Sequence, residues 1–320
     1  MKLCHFVSVF LTGSLLLGGC GGKAEPISTV EVLPTSTPTS LPLPTSTSIV
    51  PTSTFFSTQP LATPTLPLVI ATPTFADIQR YAVILVKPEE RLTIREGPGL
   101  AHRVVGTLSY DATDVWKTGR QIQADHTTWA EIERISDGSL KGWVNAHFLT
   151  QYVAAESFCN PETEALVRQF EQAIVQADGR LLASLVSPIH GVDVWLWRTG
   201  GAINFDAAHA RWVFHSTYVH NWGVHPASGQ ETRGAFREVV LPALRDAVAP
   251  AHEVRCGDYS VPGITEEQAW PAHYRNIHVY KIYKPGTPGV DLDWRIWLVG
   301  IEYVENHPYL FALIHYQWEP

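Results

Sequence analysis

"DWRIWLVGIEYVENHPYLFALIHYQW" (residues 293–318) holds two long apolar runs on either side of one turn, "ENHP". In the first run Trp294, Ile296 and Leu298 fall opposite Arg295 and Trp297, the period of two that a strand requires. Just upstream, "NIHVYKIY" (276–283) leads through the turn "KPGTPG" (284–289) into that run, so the chain ends in a three-strand meander. Further back, "GVDVWLW" (191–197) alternates Val192, Val194 and Leu196 against Asp193, Trp195 and Trp197, another strand. Helix signals stand before and between these strands. Asn160-Pro161-Glu162 supplies a cap, a proline for the first helical position and an acid in the first turn, and Val167, Phe170, Ile174 and Ala177 follow at three- and four-residue steps. A second helix is predicted from Gly179 to Val186 behind Asp178, and Asp206 caps a third that runs to Phe214. "GAFREVVLPALRDAV" (234–248) reads as a fourth, bent or broken at Pro242. Residues 154–320 therefore form an α+β domain in this reading.

Residues 79–153 follow a different pattern. "AVILV", "RLTIR", "RVVGTL", "TDVWKTG", "TWAEIERI" and "KGWVNAHFL" are short strand-like runs broken by turns at "GPG" (97–99) and at Asp137-Gly138. Five or six strands in so short a stretch, with no helical period, predict a small all-β barrel. These residues resemble the bacterial SH3-like domain. Leu92, Ile94, Arg95, Gly97, Pro98, Gly99, Val105, Gly106, Leu108, Trp129, Gly142, Trp143, Val144 and Leu149 fall on its pattern, and Tyr110-Asp111 departs from it where the family usually has Lys-Gly. The resemblance implies an envelope module that contacts cell-wall peptide or glycan; Trp143 is the residue of that pattern taken as a candidate contact. The helix pair followed by strands in 154–320 is similar in order to the nuclear-transport-factor-2-like cone.

The N-terminal end predicts export from the cytoplasm. Lys2 precedes an apolar run too short to span a bilayer, which closes with "LGGC", and this ending resembles the lipobox of bacterial lipoproteins. The resemblance implies removal of residues 1–19 as a signal peptide, lipidation of Cys20, and a location at the cell membrane, lipid-anchored and facing the extracytoplasmic side. Residues 20–78 then read as a lipid-anchored, Thr/Ser/Pro-rich linker: no charged residue occurs from Val32 to Ala76, and repeated proline predicts a disordered, extended stalk. If Cys4 leaves with the signal and Cys20 carries lipid, as the resemblance implies, Cys159 and Cys256 remain in an oxidising compartment, where a disulfide is the expected outcome. Neither "SFCNPE" nor "VRCGDY" matches the nucleophile signature of papain-like wall peptidases.

Charge narrows the partners. The formal net charge is -8, and loss of Lys2 with the signal takes -8 to -9. No domain has the cationic surplus that phosphate backbones demand, so nucleic acid is not expected. "HARWVFHSTYVHNWGVH" (209–225) gathers four histidines, but His215, His220 and His225 are each five apart and no regular element aligns them. The motif H-E-x-x-H is absent, with "HEVRC" at His252 a failed approach, so no metal and no cofactor are expected. There is no nucleophile elbow, P-loop or dinucleotide fingerprint. The carboxylates Asp193, Asp258, Asp291, Asp293, Glu302 and Glu305 have no separations in linear sequence, so they assign no acid and base. Trp195 and Trp197, expected on one face of their strand, are the other candidate ligand contacts, for a sugar ring or an apolar molecule. The sequence thus supports a non-enzymatic envelope-binding lipoprotein, with a wall hydrolase and a purely structural surface protein as alternatives.

Overall fold

The computed structural model of the chain describes residues 79–134, 140–248, 251–290 and 292–319. Cys20, the segments 1–19 and 20–78, the Asp137-Gly138 turn and Asp291 lie outside the described residues. The protein is mostly β with some helices. Among the described residues no helix is long and apolar enough to cross a membrane.

The first sheet is built from β1 (Arg80–Val83), β2 (Leu92–Arg95), β3 (Val104–Leu108), β4 (Val115–Ala124), β5 (Thr127–Arg134), β6 (Leu140–Asn145) and β7 (Leu149–Gln151), in the order β3-β2-β6-β5-β4-β1-β7. All its neighbours are antiparallel. Val83, Leu92, Ile94, Leu108, Val115, Ile132 and Val144 close its core. Close packing explains one glycine of the "KGWVN" run: a Cβ on Gly142 would stand 2.5 Å from Ile94 Cγ2 and 2.6 Å from the Arg95 carbonyl. Between Lys117 and Gln121 the β4–β5 register shifts, and the extra residues aim Thr118 and Arg120 at buried Glu131, whose carboxylate accepts from both, at 2.7 and 2.9 Å.

The rest of the chain continues with α1 (Ala155–Phe158), α2 (Pro161–Gln176), α3 (Gly179–Leu185), β8 (Val192–Trp195), β9 (Ile203–Phe205), α4 (Ala207–Ala210), β10 (His220–Val224), β11 (Glu231–Gly234), α5 (Phe236–Ala247), β12 (Glu253–Cys256), α6 (Glu266–Ala269), β13 (His278–Lys284), β14 (Arg295–Val304) and β15 (His307–Gln317). The expected meander is present as β13-β14-β15, and it sits in a six-stranded sheet of order β12-β13-β14-β15-β8-β9. β8 joins β15 in parallel, the one parallel pair of that sheet. β10 and β11 form a separate hairpin.

Both faces of the six-stranded sheet are covered, which is why β14 and β15 read as nearly continuous apolar runs. On one face Trp297, Val299 and Ile301 pack with Phe170 and Ile174 of α2, Leu182 of α3 and Val240 and Leu244 of α5. On the other, Ile296 and Leu298 pack with Trp270, Tyr274, Val279 and Ile314. The alternation of residues 294–298 thus separates two cores. At Gly300/Ile301 the register slips and the sheet curls; a Cβ on Gly300 would stand 2.7 Å from Trp270, so glycine lets the indole lie against the strand.

Helix ends follow the sequence signals. Asn160 accepts from Glu162 N and Thr163 N at 3.0 and 3.1 Å, and Asp178 caps α3 in the same way. Asp206 caps α4 as expected, but that helix ends at Ala210 and the chain reaches Phe214 in turns. α5 contains Pro242 without being broken. Cys159 and Cys256 are disulfide-bonded, which ties the start of α2 to β12 and leaves neither as a free thiol.

The two sheets share a core and hydrogen bonds. Ile84, just after β1, is fully buried in the second core with Trp270, Tyr274 and Ile277. Leu85 N donates to the His273 carbonyl at 2.8 Å, and the Asn276 amide donates to the Val83 carbonyl at 2.7 Å.

Candidate functional site

Two tight hairpins bring a cleft together where the sheets meet. β4–β5 reverses over Asp125 and His126, with φ of 50° and 60°, and β14–β15 over Glu305 and Asn306, with φ of 50° and 64°. A two-residue loop with both φ positive is the type I′ geometry that Asn-Gly satisfies and bulky residues strain. His126 and Glu305 line the opening, whose volume is about 520 Å³. Gln151 of β7 fastens the second tip, accepting from Asn306 N at 2.9 Å and donating to the Asn306 side chain.

The walls are polar and partly unengaged. Lys117 holds its ammonium 4.3 Å from the Tyr81 ring centroid, with no carboxylate in ion-pair reach among the described residues. Burial lowers its pKa. Burial and the nearby Glu305 charge raise that of the Tyr81 phenol. Gln121 and His126 also point polar groups at the cleft without a side-chain partner among the described residues. β4 adds backbone groups: among the described residues it meets β1 only at Val115 and Trp116, with one further bond from Lys117 N to the Gln79 carbonyl, and beyond Lys117 no described strand lies beside its outer edge.

Beneath the cleft lies a buried ion pair. Both carboxylate oxygens of Glu302 accept from His190 Nδ1, at 2.9 and 2.8 Å, and one accepts from Thr150 Oγ1 at 3.3 Å. His190 Nε2 donates to the His147 carbonyl at 2.9 Å. Both imidazole nitrogens therefore face acceptors, and the ring carries a proton on each. Burial alone would lower the His190 pKa, but the hydrogen bond and charge of Glu302 outweigh it and the net shift is upward. His147, beside it, is shifted down by burial and by the His190 charge.

Of the tryptophans singled out from sequence, Trp143 and Trp197 are buried and Trp195 is half-buried. Trp143 is 5% exposed in β6, with the Arg120 guanidinium 5.3 Å from its ring centroid. β8 ends at Trp195, so Trp195 and Trp197 do not share a strand face. Trp195 lies half-buried against the second core and donates to Tyr274 Oη at 3.4 Å, whereas Trp197 is buried in the first and donates to Thr232 Oγ1 at 2.8 Å. Each described carboxylate of the sequence set except Glu305 is engaged locally. Asp193 accepts from Tyr274 Oη and from the Asn204 amide. Asp258 accepts from buried Lys281 at 2.9 Å; burial would raise its pKa, but Ser260 and Lys281 bring it down to about 2. Asp293 accepts from Thr287 N and Thr287 Oγ1, and Glu302 holds His190.

The histidine-rich stretch spreads over separate positions. His209 bonds Asp206 at 2.8 Å, His220 stands at the start of β10, and His225 accepts from Ala227 N at 3.1 Å while its ring meets Trp197. Among the described residues no three His, Cys, Asp or Glu side chains converge as metal ligands would. Sequence reasoning passed over Lys117, Gln121 and the His190–Glu302 pair. The last two residues lie 112 positions apart, and no spacing rule could have joined them.

No protein-family model matches the chain, and neither the curated proteins nor the solved structures give a match.

Proposed function

We propose that this chain is an exported, Cys20-anchored envelope protein that binds a carboxylate-bearing wall peptide, without cleaving it, in the cleft between an SH3-like module and an α+β domain. The observation that carries the reading is Lys117 in the polar cleft, with no carboxylate in ion-pair reach among the described residues. A desolvated ammonium without a carboxylate gains from an incoming one, and a charge-assisted bond contributes about 1.5–3 kcal/mol. The open edge of β4 offers N–H and C=O groups to an extended backbone beside it, which is how peptides add to sheets. For residues 79–153, the "LTIREGPG" and "KGWVNAHFL" runs support the SH3-like reading. For 154–320, the α2–α3 pair leading into a curled mixed sheet supports a cone of the nuclear-transport-factor-2-like kind. The Thr/Pro-rich segment 20–78 would hold the cleft away from the membrane.

The test uses the whole mature protein, co-sedimented with isolated sacculi and titrated with a wall stem peptide that has a free C-terminal carboxylate. Retention without released fragments is expected, and Lys117→Met should weaken peptide binding about tenfold, since 1.4 kcal/mol is a factor of ten. Release of sugars or peptides would make the protein a hydrolase instead. Unchanged affinity in Lys117→Met would remove the cleft from the reading.

A further inference from the structure

A second cleft, of about 510 Å³, opens on the other part of the molecule between β9, α4 and β10. Two features set it apart from an ordinary surface depression. Trp212 and Tyr218 on its wall are 63% and 69% exposed. Their exposure is imposed by the chain: Ala210, Val213 and Phe214 beside Trp212 are buried, and Ser216 N donates to the Trp212 carbonyl at 2.8 Å, so the turn is fixed and the indole is presented outward. The floor is apolar, from Phe205, Val213 and Phe236.

Of the polar groups in this cleft, His209 is held by Asp206 and the Asn204 amide by the His190 carbonyl and Asp193, while the rest keep hydrogen-bonding capacity to offer. His220 is held by ring contacts, 5.4 Å from Phe205, 4.8 Å from Tyr218 and 5.3 Å from Trp222, and its nitrogens have no hydrogen-bond partner among the described residues. Burial lowers its pKa, so the ring is neutral near pH 7 and presents one donor and one acceptor. The Trp212 indole N–H and the Tyr218 hydroxyl are likewise unengaged among the described residues. Ser216 Oγ accepts from Tyr218 N and keeps its own proton to give. No Lys, Arg, Asp or Glu lines the cleft.

Flat aromatic faces, an apolar floor and a rim of neutral groups that both donate and accept fit a molecule with apolar C–H faces and many hydroxyls. We infer that the cleft bounded by Trp212, Tyr218 and His220 is a binding site for an uncharged saccharide, stacked on Trp212 and Tyr218 with its hydroxyls at His220 and Ser216. A phosphate or a carboxylate finds no Lys or Arg here and meets His209 already bonded to the Asp206 carboxylate, and a purely aliphatic ligand would leave the rim donors unpaired. The site is separate from the peptide cleft and does not depend on that reading.

The full mature protein would be titrated calorimetrically with three neutral trisaccharides, chitotriose, cellotriose and maltotriose, alongside Trp212→Ala and Tyr218→Ala. At least one sugar should bind the parent protein, and each variant should lose tenfold or more in affinity. Because both side chains are exposed, the variants should keep the parent melting temperature, which separates loss of a contact from loss of the fold. Absence of binding to all three sugars up to tens of millimolar, or equal binding by the variants, overturns the proposal. So does an apolar dye whose binding needs Trp212 and which no sugar displaces.

Discussion

His315 of β15 is fully buried between Trp197 and Trp297, with ring centroids 5.8 and 4.9 Å away. Its Nδ1 donates to the Leu196 carbonyl at 3.1 Å, while Nε2 has no partner among the described residues. Burial drives its pKa down to about 4; the Leu196 bond and the Asp246 charge oppose the fall, and Arg295 adds to it. The folded ring is therefore neutral where the unfolded one, near 6.5, takes a proton. A depressed pKa contributes stability that is complete above 6.5 and lost as pH falls toward 4, on the order of 3 kcal/mol across that window. Asp258, brought down to about 2, contributes its loss only below the ordinary carboxylate range, so the two effects separate on the pH axis. Urea unfolding of His315→Leu should show a markedly flatter decline between pH 6.5 and 4 than the parent. Some slope should persist, because His147, His220 and His273 shift in the same direction. An equally steep decline in the variant would mean that the buried ring is not what titrates.

At the scale of elements, the Asp125-His126 turn ought to be the weak joint of the first sheet. Both residues hold positive φ without being glycine, which costs about 1–2 kcal/mol each, although Asp125 recovers part by accepting from Leu100 N. His126 has no such bond among the described residues. Replacing it with glycine relieves the steric cost against a smaller entropic one, so His126→Gly should raise stability by about 0.5–1 kcal/mol in a denaturant titration. A loss of that size would show that the imidazole makes a contact worth more than the strain. This turn was also among the features that sequence did not disclose, since "ADHT" is not a recognised I′ pair. Elements with long periods were legible: the 293–318 strands, the α2 stripe behind Asn160 and, through elimination of the other two cysteines, the Cys159–Cys256 bridge. Short ones were not. β9, β11 and β12 have only three or four residues each, and the exposed pattern of "EVRC" in β12 hides no apolar face. The aromatic cleft was missed for a related reason. Trp212 falls within the helix expected to run to Phe214 but stands in a turn, so its outward-facing side was not legible, and the histidines around it were weighed only as metal ligands and set aside.

For the molecule as a whole, the question is whether the two sheets fold as one unit. Ile84 buries itself entirely in the core of the other sheet, and His190 reaches back to the His147 carbonyl while its other nitrogen holds Glu302. Burying one such side chain contributes about 1.5–3 kcal/mol, and removing a partner from a buried charge pair costs about 3–5 kcal/mol. Either is a large share of a domain's total stability, so neither sheet should keep its structure once the other is lost. Calorimetry on the mature protein should record a single transition for the two sheets near pH 6. The junction also gives that transition a pH dependence opposite to that of His315. A raised His190 pKa contributes stability that is complete below 6.5 and lost as pH rises through the folded value. The melting temperature should therefore pass through a maximum near neutrality, falling on the acid side through His315 and on the alkaline side through His190. His190→Gln keeps a donor for the His147 carbonyl but removes the imidazolium charge that faces the Glu302 carboxylate. It should lower the melting temperature below pH 6.5 and leave an alkaline limb flatter than the parent's. Two well-separated transitions at pH 6, with the His190 variant shifting neither, would mean that the sheets are stable apart and that the peptide cleft lies between bodies free to move.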